Sequence, residues 1–235
     1  MRSFQRALMM ISAAYPEISI QNLPSLSLGQ RDALLLALRK SLFGPHIVGI
    51  ASCKGCTERL EIAFDVDEVT MDLPEDASEV MVISAEGFVV HFRLPNSSDL
   101  IEASGCRDTD SFRNSLLKSC LLKISRKAED EKADMERDEA ELRDLPEAVV
   151  GEIVAGMERA DPQADVNIVM TCPVCQSEEK IAFDIISFLW KELNAWSVRT
   201  LREVHILASA YGWREADILA MSPWRRQFYL EVLER

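Results

Sequence analysis

The sequence predicts an α+β protein in which small β-hairpins gather around two Cys-x-x-Cys knuckles, with a helix ahead of them and an all-helical tail behind. Three observations predict it. Cys53-Lys54-Gly55-Cys56 and Cys172-Pro173-Val174-Cys175 are each followed, six residues after the second cysteine, by the same tetrapeptide, Ile62-Ala63-Phe64-Asp65 and Ile181-Ala182-Phe183-Asp184. Short apolar runs of strand length enter and leave both knuckles. Beyond Asp184 the apolar residues recur at helical spacing and no strand pattern returns.

Taken in order, Met1–Ala14 has a basic start and an apolar run of minimal length, which predicts a short helix rather than a secretory leader. Ser27 caps a helix over Leu28–Phe43, and Gly44-Pro45 ends it. Ile47–Ala51 enters the first knuckle as a strand and Leu60–Val66 leaves it. Val80–Ser84 and Phe88–Leu94 flank Ala85-Glu86-Gly87 as a hairpin, and Asp99–Ala103 and Asp110–Ile124 read as helices. Arg126–Asp144 is a charged linker or exposed helix. Pro146 opens a helix over Glu147–Arg159, and Val166–Met170 enters the second knuckle. Asp184 then caps a long helix with Leu189, Leu193, Trp196, Val204, Leu207 and Tyr211 along one stripe, stopped by Gly212. A short helix over Arg214–Ala220 and a last one from Ser222-Pro223 to Leu233 complete the chain. The organisation expected is 1–125 with the first knuckle, 126–144 as the acidic connection, and 145–235 with the second knuckle and the tail.

Four thiolates delivered by two tight turns are the ligand set of a closed tetrahedral zinc site. Cys53, Cys56, Cys172 and Cys175 are therefore expected to share one structural zinc, making the β region zinc-ribbon-like, with rubredoxin-type iron the lesser choice. The long gap between the knuckles is no obstacle if two similar hairpins meet about a pseudo-twofold axis. A full sulfur shell leaves no position for a reacting water. The rival chemistry, thiol–disulfide exchange, wants a helix after the second cysteine, whereas a strand is expected after each. Cys106 and Cys120 lack partners at ligand spacing, and Cys120 sits in an apolar run, so burial is expected of it. His46, His91 and His205 are isolated, and no phosphate-binding glycine loop, His-Glu-x-x-His or Gly-x-Ser-x-Gly occurs. The sequence offers no active site, and the chain is expected not to be an enzyme.

Charge narrows the partners. The formal net charge of −13 disfavours nucleic acid, whose binding depends on Lys and Arg against phosphate. The apolar stretches are too short to cross a bilayer, and unpaired knuckle cysteines suit the cytoplasm. The tail is rich in Trp, Tyr and Arg, the residue types that anchor interfaces. Trp213, Trp224, Arg225, Arg226, Phe228 and Tyr229 are the candidates for a partner-facing surface, although core packing explains the same aromatics. Oligomeric state is not legible.

One ordered set of motifs resembles a known family. Pro24…Leu28-Gly29-Gln30-Arg31-Asp32-Ala33-Leu34-Leu35-Leu36, the two knuckles, Phe183-Asp184-Ile185-Ile186-Ser187-Phe188-Leu189-Trp190, and Tyr211-Gly212-Trp213…Ser222-Pro223 together look like the T4-type bacteriophage baseplate protein family. The resemblance runs from about Leu23 to Leu233 and omits the acidic segment. It implies a baseplate component or assembly factor of a contractile phage tail or phage-like injection system, with other baseplate or tail subunits as partners and no reaction attached. The alternative is a zinc-ribbon adaptor in regulation or transcription, touching protein rather than DNA.

Overall fold

A computed structural model describes residues 2–71, 80–126 and 142–233. The described chain is mixed α+β, with three small antiparallel sheets among helices. Contacts divide it into two compact units, Met1–Ile186 and Ser187–Arg235.

In the first unit, α1 (Ser3–Ala14) precedes α2 (Leu28–Phe43). The start of α2 is a capping box: the Ser27 hydroxyl accepts from the Gln30 amide at 3.1 Å, and the Gln30 side chain accepts from the Ser27 amide at 3.0 Å. Two orphan donors are thus satisfied where the sequence placed the cap. Strands β1 (His46–Ser52) and β2 (Arg59–Asp65) pair in an unbroken register from His46–Asp65 to Ser52–Arg59. A single helical turn, α3 (Val66–Val69), follows. Strands β3 (Met81–Ala85) and β4 (Phe88–Phe92) form the expected hairpin, and α4 (Ser97–Ala103) and α5 (Thr109–Cys120) come next.

The structure corrects the helix expected over Asp110–Ile124. Helix α5 stops at Cys120, and Leu121–Arg126 becomes β5, a third strand beside β4. Ile124 is drawn inward with Phe88, Val90 and Phe92, against Leu145, Val149 and Ile153 of the following segment. A strand puts alternate residues on that core face, and tertiary packing overrides the helical reading of a leucine-rich run. The strand expected to run to Val66 ends at Asp65, because Val66 turns inward as the first residue of α3 and is 2% exposed.

Helix α6 (Glu147–Ala160) supplies the covering face of that three-stranded sheet. Strands β6 (Asn167–Thr171) and β7 (Glu178–Ala182) then form the second knuckle hairpin, and α7 (Ile185–Tyr211) starts directly after Asp184. One sequence offset carries Cys53 onto Cys172, Phe64 onto Phe183 and Asp65 onto Asp184, and it also carries Leu28, the first residue of α2, onto Glu147, the first residue of α6. Helix, hairpin and helix thus occur twice in the same register. A buried polar contact marks the first copy: the Gly29 amide donates to the Asp161 carboxylate at 2.9 Å, and a Cβ on Gly29 would lie 1.7 Å from the other carboxylate oxygen.

The cut between the units falls inside α7. In the second unit, the later turns of α7 pack with α8 (Glu215–Leu219) and α9 (Pro223–Leu233) around Val204, Leu207 and Ile218, with Tyr211, Trp213 and Tyr229 beside them. Most of the acidic connection expected at 126–144 lies outside the described residues. No helix among the described residues is long and apolar enough to cross a membrane.

Candidate metal centre

Each knuckle is a turn closed by the same two backbone bonds. The Cys53 amide donates to Glu58 O at 2.9 Å and the Thr57 amide to Cys53 O at 2.8 Å; the Cys172 amide donates to Ser177 O and the Gln176 amide to Cys172 O, both at 2.9 Å. Thr57 and Gln176, the residues after each second cysteine, are both left-handed, with φ of 62° and 59°. That conformation costs a side-chain-bearing residue roughly 1–2 kcal/mol, so both turns are held against their local preference. Strands follow both knuckles, as the sequence required.

The turns bring the four expected sulfurs together. Cys53 Sγ lies 3.5 Å from Cys175 Sγ, Cys56 Sγ lies 3.6 Å from Cys172 Sγ, and all four sulfurs fall within 4.8 Å of one another. A tetrahedron with a metal–sulfur distance of about 2.3 Å has edges of about 3.8 Å, close to this spacing, whereas a disulfide needs about 2.05 Å. The four thiols are free of disulfides. They form the only group of three or more His, Cys, Asp or Glu side chains among the described residues that is close enough to hold a metal ion. Gly55 leaves room for them: a Cβ there would sit 3.3 Å from Cys175 Sγ and 3.6 Å from Cys53 Sγ. The Gly55 amide instead points at Cys53 Sγ, 3.3 Å away, the backbone support that metal-bound thiolates receive.

Electrostatics divide the four thiols. The Ser177 hydroxyl, 3.0 Å from Cys175 Sγ and 3.3 Å from Cys53 Sγ, holds both below the ordinary thiol value, Cys175 down to about 6 with help from the Ser177 amide. Cys56 is pushed up to about 12: the Glu58 amide pulls it down, and burial together with the Cys172, Cys175 and Cys53 sulfurs outweighs that pull. Left alone, Cys56 keeps its proton at neutral pH. A divalent cation among the sulfurs deprotonates them jointly, so the donor set fits a soft or borderline metal.

Where the two hairpins meet, the equivalent phenylalanines touch. The Phe64 and Phe183 rings lie edge to face at 5.2 Å between centroids, the geometry aromatic quadrupoles favour. Two residues beside the sulfurs carried no sequence signal, Ser177 and Glu179. Glu179 is 9% exposed and its carboxylate accepts from the Lys54 amide across the hairpins at 2.8 Å. Cys120 is buried and pushed up to about 12 by that burial. His46 pairs with Asp65 at the solvent edge of the first hairpin.

The six aromatic and arginine residues of the tail separate into two groups. Trp213 stacks on Tyr211 at 4.5 Å and meets Tyr229 edge-on at 4.8 Å, inside the packing of the second unit. Arg226 is 5% exposed, donating to the Glu203 carboxylate at 3.0 Å and to Met221 O at 2.7 Å. Trp224 and Phe228 face outward, 78% and 51% exposed, with Arg225 near the Tyr229 ring. They are one helical turn apart on the face of α9 opposite Arg226.

Neither a curated protein nor a solved structure matches the chain. A family model does, over residues 5–190. The match spans α1, α2, both knuckle hairpins and the start of α7, and it stops short of the Tyr211–Pro223 motifs that also carried the resemblance. Four-fifths of the chain falls within it, including every residue of the sulfur cluster, and the chain belongs to the family of T4 bacteriophage base plate proteins.

Proposed function

We propose that this chain is a non-enzymatic baseplate protein of a contractile tail, either a component or an assembly factor, whose first unit is stabilised by one zinc held by Cys53, Cys56, Cys172 and Cys175. The observation that carries the zinc reading is the convergence of four sulfurs from two hairpins in matching register, at the spacing of a tetrahedral shell. A closed sulfur shell binds no water for hydrolysis, and its role is to fix hairpin 46–65 to hairpin 167–182. A structural metal of this kind contributes folding free energy directly.

Baseplate membership implies other baseplate or tail subunits as partners. For this chain we assign the contact to Trp224, Phe228 and Arg225, since Trp213, Arg226 and Tyr229 are engaged within their own unit. Synthesis in the cytoplasm followed by incorporation in a particle suits this role. The regulatory adaptor is the weaker reading, because the family match covers both knuckles.

Elemental mass spectrometry with thiol titration, on protein purified without added metal, tests the zinc. About one zinc per chain is expected, with the knuckle thiols reactive only after chelation and unfolding. Metal-free protein with exposed or oxidised knuckle thiols would overturn the reading and bring redox chemistry forward.

A further inference from the structure

The two knuckles share the backbone turn that presents the sulfurs, and among the positions where they differ one pair is linked. The offset that carries Cys53 onto Cys172 also carries Lys54 onto Pro173 and Leu60 onto Glu179. In the first knuckle, Lys54 has a backbone N–H, and Glu179 of the opposite hairpin accepts it at 2.8 Å. In the second knuckle, Pro173 has no N–H to donate, and the position equivalent to Glu179 is Leu60, an apolar residue buried with Cys53 and Cys172. Donor and acceptor are present together on one side and absent together on the other. An unmade hydrogen bond at a buried site is costly, whereas removing both partners is nearly neutral, so the arrangement reads as one joint choice made twice.

We infer that Glu179 is the positioning residue of the four-sulfur site: it clasps the first knuckle through the Lys54 amide and so sets how tightly the site retains its metal. The inference rests on the zinc reading above and deepens it. Its carboxylate lies 3.7 Å from Cys53 Sγ, so it touches a ligand sulfur as well as the turn that carries it. Cys53 immediately precedes Lys54 and Cys56 follows two residues later, so a turn released at Lys54 releases both first-knuckle ligands. Groups that orient ligands in this way change metal affinity by about ten- to a hundredfold when removed. Hydrogen bonding, not negative charge, is the contribution, because a carboxylate beside four metal-bound thiolates adds like charge.

The test uses the full chain, stripped of metal under reducing conditions and titrated with cobalt(II), reading the sulfur-to-cobalt charge-transfer band and competition with a chelator. Glu179→Leu is expected to weaken cobalt binding about ten- to a hundredfold. Glu179→Gln keeps an acceptor oxygen and is expected to bind as tightly as the native chain or tighter, with the same four-sulfur spectrum. The double change Lys54→Pro with Glu179→Leu copies the second knuckle into the first and is expected to recover most of the lost affinity, a coupling read by the double-mutant cycle. Glu179→Leu binding cobalt as the native chain does, or a double variant no better than Glu179→Leu, overturns the clasp while leaving zinc intact. Native protein that takes up no cobalt overturns both.

Discussion

The two helix–hairpin–helix copies share a register and use it differently. Both present two cysteines from a turn with a left-handed residue behind it, and both place a phenylalanine at the contact between hairpins. After Asp65 the first copy continues as a single turn, Val66–Val69; after Asp184 the second continues as a helix of 27 residues. At the leading helix the contrast reverses. Helix α2 carries a buried glycine and arginine, Gly29 and Arg31, and a half-buried aspartate, Asp32, near its start, whose equivalents in α6 are Ala148, Val150 and Gly151. The difference teaches that the sulfur geometry is what the repeat holds constant, while each flank has been fitted to its own neighbours.

The largest effect comes from breaking the constant part. Cys172→Ser removes one of the four proposed ligands, and structural zinc sites hold about 10–16 kcal/mol of folding free energy, as much as a whole domain has to spare. Loss of zinc and collapse of cooperative thermal unfolding in the first unit are expected. Cys53→Ser should cost the same, since the copies supply equivalent cysteines to the cluster. Circular dichroism melts with zinc analysis of both variants check this, and a metal-free variant that melts as the native protein does would sink the structural role.

Next in size is a change confined to the first copy. Gly29→Ala would place a methyl group 1.7 Å from an Asp161 carboxylate oxygen, and Asp161 is itself buried and bonded to the Gly29 amide. Overpacking of this kind costs about 1–3 kcal/mol. Urea denaturation should show the midpoint shift with the slope unchanged. The equivalent position in α6 already carries an alanine, Ala148, and is exposed. A Gly29→Ala protein of native stability would mean that the two flanks differ in sequence alone.

Much of this comparison was legible in the sequence, because Cys-x-x-Cys followed by Ile-Ala-Phe-Asp is a local pattern and local patterns need no fold to be seen. The hairpins, the Ser27 cap and the stop at Gly212 all follow from adjacent residues. The boundary at Cys120–Leu121 was hidden, since no glycine or proline marks the change from helix to strand and only the core of Phe88, Val90 and Phe92 selects it. The repeat of α2 in α6 was hidden for a different reason: the two helices share a position and few residues. Glu179 was unreadable because its partner, Lys54, is 125 residues away and offers a backbone amide, which every residue but proline has. Arg226 looked like its neighbour Arg225 until packing put one inside and left the other at the surface.

The contact between the copies gives a smaller effect. Phe64 and Phe183 are each half-buried and meet edge to face. Phe64→Leu and Phe183→Leu should destabilise alike, and their double-mutant cycle should show a coupling of about 0.5–1.5 kcal/mol, the range for aromatic pairs. Unequal single losses would show that one ring carries contacts of its own beyond the shared one. Zero coupling would mean that the hairpins are held by the sulfurs without help from the rings.

The smallest effect tests a half-buried charge, Asp32, whose equivalent in the second copy is Gly151. The Asp32 carboxyl is raised above its ordinary value, first by burial and then by Asp184 and Asp161, with the 2.7 Å bond from Arg31 Nε pulling the other way and losing. A carboxyl that binds its proton more tightly folded than unfolded favours the fold below the unfolded pKa, and that contribution is lost as pH rises through the folded value. At neutral pH Asp32 is therefore a cost, borne for the bond to Arg31. Asp32→Asn keeps an oxygen for Arg31 Nε and removes the charge, so a slightly higher melting temperature is expected at pH 7. The advantage should shrink as pH falls through the carboxylate range and vanish once Asp32 is protonated in both states. Melting curves of the two proteins across that range decide it. A variant less stable at pH 7 than at pH 4, relative to the native chain, would show that attraction to Arg31 outweighs burial. The polar start of α2 would then be a stabilising feature of the first copy rather than a charge it tolerates.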